Sequence, residues 1–152
     1  MITLGGKSVE MFNVGANHGH CMAVMRIPSE KLAYIVDIVS PASVGFKGMR
    51  ESDPDNWIAS LQKIVAMDFV RFIPGHGPPT ALKSAVAAKR EYLQLLSSSV
   101  KTALATGKDP AALATDGTFA KYAKWRGYKD WLPMNIVRMV RWHKDGKLAA
   151  IT

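Results

Sequence analysis

Three side chains of metal-binding type lie beside or within apolar segments of the sequence. His18 lies in the segment Gly15–His20, and His76 lies in a loop rich in glycine and proline, residues 74–79. Asp37 stands inside the apolar run 32–39, where an ionised carboxylate without a partner is costly and tends to bind a proton. Neutral imidazole and carboxylate oxygen suit Zn²⁺ or a similar ion, so the residues suggest a metal site with His20 as a candidate further ligand.

Each of these residues also has an ordinary structural explanation. A Gly-His-Gly loop is more often a turn than a ligand, and an aspartate in a strand often caps the following turn, here Ser40-Pro41. His20 fits a surface position equally well. Cys21 is expected in the core, and His143 is expected to be a charge partner at the end of a basic helix. From the residues alone, metal binding stays a suggestion.

Strands dominate the first half of the sequence. They are predicted at residues 9–14, 21–27, 32–39 and 69–73. The run 32–39 is apolar enough for a strand covered on both faces. Between the third and fourth strands, Asp53 and Pro54 predict a helix start, and an apolar face follows over residues 57–65.

The second half of the sequence is predicted to be helical. Thr80 can cap a long helix that ends at Gly107, and Asp109-Pro110 starts a short one. A last helix is predicted from about Pro133 to His143. The order β-β-β-α-β followed by helices indicates an α/β layered fold.

The composition indicates one globular domain. The chain of 152 residues is 48% hydrophobic and has a single cysteine, which excludes a disordered chain and a disulfide scaffold. No apolar run approaches the roughly 18 residues of a membrane span. The N-terminus lacks a signal-peptide core, although a truncated secretion signal is compatible with it. The compartment stays open, with the cytoplasm slightly favoured.

The charge is unevenly distributed along this domain. Residues 1–80 carry seven basic and seven acidic side chains, whereas residues 81–152 carry 13 basic and five acidic ones and thus the whole net charge of +8. We therefore predict a single domain, residues 1–152. Residues 1–80 would form its β-β-β-α-β part, and residues 81–152 a basic helical tail that packs on it.

Four short motifs occur in a recognisable order. They are Val9-Glu10-Met11-Phe12, Gly15-Ala16-Asn17-His18, Val36-Asp37-Ile38-Val39 and Phe72-Ile73-Pro74-Gly75-His76-Gly77-Pro78. This order resembles the C-terminal half of the metallo-β-lactamase superfamily, from about Thr3 to Pro79 and more loosely through the tail. The resemblance implies the C-terminal half of an αββα sandwich, with a mixed sheet followed by helices.

The resemblance also implies a metal-dependent activity. His18 would match the histidine of the first zinc site, Asp37 the catalytic aspartate that bridges both metals, and His76 the histidine of the second zinc site. One or two zinc ions would be bound, although iron or manganese also suits these ligands. A metal-bound hydroxide would attack an ester, thioester, lactone or amide.

The sequence departs from the superfamily pattern in one major respect. The signature His-x-His-x-Asp-His, which supplies most of the metal ligands, is absent. Val36 stands in place of the usual glycine before the bridging aspartate, and Gly19 in place of the usual threonine. The chain thus looks like half an enzyme with little activity of its own, and whether this half binds metal without the other stays open. A missing N-terminal half, or a second copy in a homodimer, would be the partner.

Two functions of other classes compete with the hydrolase. One is a non-catalytic binding module for nucleic acid or another anionic partner, because basic residues alternate in the tail with four aromatic ones, Tyr122, Trp125, Tyr128 and Trp131. A solvated helix face with aromatic packing explains the same pattern better, so nucleic acid is not expected. The other is a degenerate structural remnant. Trp57, Trp125, Tyr128 and Trp131 fit a pocket lining or the core equally well.

Overall fold

A computed structural model describes residues 1–146; the end of the predicted tail, residues 147–152, lies outside the described residues. The six strands are β1 (Ile2–Leu4), β2 (Lys7–Gly15), β3 (Met22–Ile27), β4 (Leu32–Ile35), β5 (Arg71–Pro74) and β6 (Ala81–Leu82). The α-helices are α1 (Pro54–Ala66), α2 (Ser84–Ala105) and α3 (Tyr128–Asp145). Short 3-10 helices lie at Pro28–Glu30, Pro110–Ala114 and Ala120–Tyr122.

The strands form one mixed sheet in chain order, β1 to β6. Neighbouring strands are antiparallel except β4 and β5, which are parallel and joined through α1. Since β3 is antiparallel to both β2 and β4, the strands β2, β4 and β5 all run in one direction. Their carboxyl ends therefore meet at the same edge of the sheet.

The two faces of the sheet differ in what covers them. On one face Phe12, Val24, Ala33 and Phe72 pack into a core shared with the helices, and the last three of these are at most 1% exposed. The side chains that alternate with them form a row in register across four strands, Met11, Met25, Tyr34 and Ile73. We call this row the open face; Met11 and Tyr34 on it are 53% and 41% exposed.

Helix α1 begins where the sequence predicts. The Asp53 side chain accepts a hydrogen bond from the Asn56 backbone N–H at 3.0 Å, and Pro54 occupies the first turn, where no N–H is needed. Trp57, Leu61 and Ile64 are buried on one stripe of the helix. The predicted cap and apolar face are therefore confirmed.

The third predicted strand is too long. It ends at Ile35 rather than at residue 39, because Asp37 has φ +61° and turns the chain out of the extended conformation. The expectation that both of its faces are covered is also wrong, since Tyr34 lies on the open face. Cys21, expected in the core, is exposed just before β3.

The helical part begins and ends differently from the sequence prediction. Helix α2 starts at Ser84 and not after Thr80, because Ala81 and Leu82 pair with β5 as an additional strand. Helix α3 starts at Tyr128, after Gly127 with φ +77°, and Pro133 lies inside it. These differences move boundaries without changing the α/β order.

The helical part contributes to the core through aromatic side chains. Tyr92 of α2 contacts Phe119, Tyr122 and Trp125, with ring centroids between 5.1 and 6.1 Å apart. Tyr122 and Trp125, which alternate with bases in the sequence, therefore pack inward on α2. None of the helices within residues 1–146 has the length and hydropathy of a membrane span.

Candidate metal centre and its cavity

The three predicted ligands each follow the carboxyl end of a strand that runs in the same direction. His18 follows β2, Asp37 follows β4 and His76 follows β5. Ile35 and Pro74 are register partners in the parallel pair, so Asp37 and His76 each lie two residues beyond that pair. The Nε2 atom of His76 lies 3.1 Å from Oδ1 of Asp37. Topology alone thus brings these two side chains together.

Asp37 has a carboxylate oxygen that nothing satisfies in the described residues. Its Oδ1 atom is buried and has no hydrogen bond, since the contact with His76 lacks hydrogen-bond geometry. Gly75 allows this arrangement, because a Cβ there would lie 2.8 Å from Cγ1 of Val36 and 3.1 Å from Oδ1 of Asp37. A buried carboxylate oxygen without a donor is a site that a cation can satisfy.

His18 is held in place by its neighbour Asn17, which is completely buried. The Asn17 side chain donates to the Gly15 carbonyl at 3.0 Å and accepts the His18 backbone N–H at 2.6 Å. The backbone carbonyl of Asn17 accepts a hydrogen bond from the Asp53 N–H at 2.9 Å. This bond ties the loop to the start of α1. Asn17 is a positioning residue that the sequence analysis did not single out for this role.

The surroundings of His18 favour its neutral form. Burial lowers the pKa of the His18 imidazole, Lys89 lowers it further, and Asp37 opposes the shift. The ring packs edge-on against Trp57 with centroids 5.5 Å apart. A neutral imidazole is the form that binds a metal ion.

One cavity of about 240 Å³ connects these residues. The strand-end wall of this cavity consists of His18, Asp37 and His76, and a helix-side wall is formed by Trp57, Lys89 and Arg126. The remaining lining residues are Ser40, Ser43, Val44, Phe46 and Trp131. Of the four aromatic residues proposed for a pocket, Trp57 and Trp131 line this cavity, whereas Trp125 and Tyr128 do not.

The strand-end wall is not a complete metal site. Within residues 1–146, no three histidine, cysteine, aspartate or glutamate side chains are close enough together to hold a metal ion. The structure pairs Asp37 with His76 and places His18 on the same cavity. His20 is exposed and is not among the residues that line it.

The sequence analysis proposed Trp57 for a pocket lining but missed Lys89 and Arg126 of the helix-side wall. Lys89 is only 3% exposed and donates from Nζ to the Ser43 carbonyl at 3.1 Å. Burial lowers the pKa of Lys89 to about 7. A signal existed: Lys89 is three residues after Val86 and four before Leu93, so it lies on the buried stripe of α2.

Trp57 links the two walls. Its Nε1–H donates to the Ile38 carbonyl at 3.0 Å, which fixes the segment immediately after Asp37. The Lys89 ammonium lies 5.3 Å from the centroid of the Trp57 ring. A single buried indole therefore contacts the aspartate segment, the histidine and the lysine.

The donor set fits zinc in its chemistry. Two imidazoles and a carboxylate with an unsatisfied oxygen line one cavity, and these are ligand types that Zn²⁺ accepts. The set of three donors is smaller than the four ligands of a closed zinc site.

Comparison with known proteins supports the fold. No protein-family model and no curated protein matches the sequence. A solved metallo-β-lactamase from Pontibacter korlensis is similar with a TM-score of 0.54 at 20% identity, over 61% of this chain and 44% of that one. A metallo-β-lactamase from Erythrobacter litoralis is similar with a TM-score of 0.52 at 13% identity, over 57% of this chain and 39% of that one.

The matched region thus spans less than half the length of these two proteins. At such identities the similarity shows the fold, and it agrees with the α/β class and the mixed sheet described above. The chain therefore has part of a metallo-β-lactamase fold.

Proposed function

We propose that this chain is the C-terminal half of a metal-dependent hydrolase of the metallo-β-lactamase type. The observation that carries the proposal is the contact between Asp37 and His76, with a buried Asp37 oxygen that no described donor satisfies. His18 lies on the same cavity. Parallel strand ends in an open sheet are where α/β proteins bind ligands.

Each residue of the strand-end wall has a distinct role in this proposal. His18 and His76 supply imidazole nitrogens and Asp37 supplies a carboxylate oxygen to zinc; iron or manganese suits the same donors. When bound, zinc lowers the pKa of water and polarises a carbonyl group. The substrate class is then an ester, thioester, lactone or amide. Without further ligands, we expect little activity from this chain alone.

Metal content of the purified chain tests this proposal. After dialysis against zinc and then against buffer, we expect one zinc per chain by atomic emission, and its loss in His76→Ala. His20→Ala is the matched control, because this exposed histidine does not line the cavity. Equal zinc content in His76→Ala and the unmodified chain, or no zinc in either, would overturn the proposal.

The open face motivates a proposal about the partner. Met11, Met25, Tyr34 and Ile73 form an apolar row across four strands that no described element covers. Apolar sheet faces of this kind are normally packed against another layer. We propose that a second copy of the chain covers this face when the other half of the fold is not present.

Analytical ultracentrifugation tests the partner. We expect a dimer that Tyr34→Lys dissociates, because a lysine ammonium is costly to bury in an apolar interface. Val137→Lys adds the same charge at a 51% exposed position of α3 and should leave the dimer intact. A cooperatively folded chain that stays monomeric at high concentration would contradict the dimer.

A further inference from the structure

The helix-side wall contains a buried basic side chain without an acidic partner. Lys89 is 3% exposed, and within residues 1–146 no carboxylate lies within ion-pair distance of it. Its Nζ donates to one neutral group, the Ser43 carbonyl, and lies over the rings of Trp57 and Tyr92 at 5.3 and 5.6 Å. Neutral partners offset only part of the cost of burying an ammonium group.

A second basic residue that lines the cavity, Arg126, is joined through its backbone to the segment that contains Ser43. The Arg126 N–H donates to the Ala42 carbonyl at 2.8 Å, and the Arg126 carbonyl accepts the Val44 N–H at 3.1 Å. These bonds form a short parallel bridge between Ser43 and Arg126. The segment from Ala42 to Val44 is thus bonded to the Arg126 backbone and accepts a hydrogen bond from Lys89, and both basic residues line the cavity.

Arg126 has no described carboxylate partner either. Its guanidinium lies 5.4 Å from the centroid of the Trp131 ring, and no ion pair to it is found in residues 1–146. A guanidinium over an aromatic face can still donate its N–H groups to a planar anion. Trp131 in turn packs edge-on against Phe46, which supplies an apolar surface beside the basic groups.

We propose that Lys89 and Arg126 bind the anionic group of a small organic molecule, a carboxylate or a phosphate, in the cavity that also holds the strand-end wall. This inference rests on the proposed hydrolase function. The anionic group would anchor the substrate while the scissile carbonyl of the substrate lies at the metal. The cavity of about 240 Å³ is small, which favours a compact molecule over a peptide or polymer.

The chemistry of the two walls supports different roles for them, with the helix-side wall binding the anionic group and the strand-end wall holding the metal. Ammonium and guanidinium groups form charge-assisted hydrogen bonds with carboxylate and phosphate, and burial strengthens them. Phe46 and Trp131 can contact the apolar part of the same molecule. The anion would thereby supply the counter-charge that the described residues do not give Lys89.

Binding of simple aromatic anions to the metal-free chain tests this proposal. In a chelator, the full chain is titrated with benzoate, phenyl phosphate and the neutral isostere benzamide, with tryptophan fluorescence and calorimetry as readouts. We expect at least one anion to bind and benzamide to bind at least about tenfold more weakly. Stronger benzoate binding would assign a carboxylate, and stronger phenyl phosphate binding a phosphate.

Two variants locate the binding to the helix-side wall. Lys89→Met and Arg126→Gln should each weaken anion binding, the first by about tenfold or more because its charge is buried. Lys101→Met removes an exposed charge from the same helix and should leave binding unchanged. Circular dichroism confirms that each variant is folded, and exposed Arg126 gives a second test if Lys89→Met changes the fold.

The outcomes separate this proposal from the hydrolase proposal. No anion binding, equal binding of benzoate and benzamide, or anion binding that neither variant weakens would overturn the anion site, whatever the zinc content. Anion binding that depends on Lys89 in a chain that never retains zinc would support the anion site and count against the metal centre.

Discussion

The two walls of the cavity differ in how firmly the fold holds them. On the strand-end wall the side chains of His76 and Asp37 are 68% and 33% exposed. On the helix-side wall Trp57 and Lys89 are 2% and 3% exposed and lie among core residues, whereas Arg126 is exposed. The proposed ligands Asp37 and His76 therefore project from loop ends, while Trp57 and Lys89 behind them are part of the core. This difference suggests that one wall is adjustable and the other fixed.

The difference has a physical basis in the sheet. Asp37 and His76 lie beyond the ends of their strands, outside the ladder of hydrogen bonds, and both are more exposed than Trp57 and Lys89. Trp57 and Lys89 are instead packed from several directions, which restricts their rotamers. Substitutions in the helix-side wall should therefore change the free energy of unfolding, whereas those in the strand-end wall should mainly change ligand binding.

The largest effect is expected for Trp57→Ala. This indole fills core volume and donates to the Ile38 carbonyl at 3.0 Å. Its loss should lower the free energy of unfolding by about 3–5 kcal/mol in urea denaturation. Trp57→Phe keeps most of the packing and should cost about 1–3 kcal/mol through the unpaired carbonyl. A loss of less than about 3 kcal/mol in Trp57→Ala would show that the helix-side wall is not fixed.

The second effect has the opposite sign. Lys89→Met replaces a buried cation with an apolar side chain of similar length and should raise the free energy of unfolding by about 1–4 kcal/mol. The pKa of Lys89 is lowered from 10.5 to about 7, so between these values the unfolded chain binds more protons than the folded chain. The free energy of unfolding of the unmodified chain should therefore rise with pH between about 7 and 10.5.

The gain from Lys89→Met consequently depends on pH. It should be largest at about pH 6, where the buried amine is protonated, and should shrink by about pH 9. Parallel urea titrations of both chains measure this difference, and Lys101→Met controls for loss of an exposed charge. A gain of the same size at both values would mean that Lys89 does not titrate differently in the folded state.

The strand-end wall could be predicted from the sequence because its information is local. A glycine and proline loop around His76, and a lone aspartate in an apolar run, are visible within a few residues. Parallel pairing of β4 and β5 then places Asp37 next to His76. The apolar run did not indicate that the strand ends before Asp37, because hydropathy does not reveal a residue with a left-handed φ.

The helix-side wall could not be predicted in the same way because it is assembled by distant packing. Arg126 reaches the cavity through a bridge to Ser43, 83 residues earlier in the chain. The start of α2 was misplaced for a related reason: Ala81 and Leu82 pair with β5, and that long-range pairing overrides the capping tendency of Thr80. Lys89 was treated as one base of a solvated face, although its spacing from Val86 and Leu93 indicated the buried stripe.

The smallest effect on stability is expected for Gly75→Ala, which probes the strand-end wall. A Cβ at this position would lie 2.8 Å from Cγ1 of Val36 and 3.1 Å from Oδ1 of Asp37, so one of these atoms must move. Overpacking of this kind should lower the free energy of unfolding by about 1–3 kcal/mol. Because the added Cβ also crowds the Asp37 oxygen, a proposed ligand, zinc content should fall as well.

Gly48→Ala is the matched control, since a Cβ there meets nothing closer than Cγ of Arg50 at 3.8 Å. If Gly75→Ala loses zinc while keeping nearly all of its stability, the strand-end wall adjusts freely and the contrast between the walls is sharpened. If it loses several kcal/mol, as Trp57→Ala is expected to, the Asp37 segment is as firmly packed as the helices. The two walls would then be one rigid unit, and a partner sheet would have to bring its ligands to a site that cannot adapt to them.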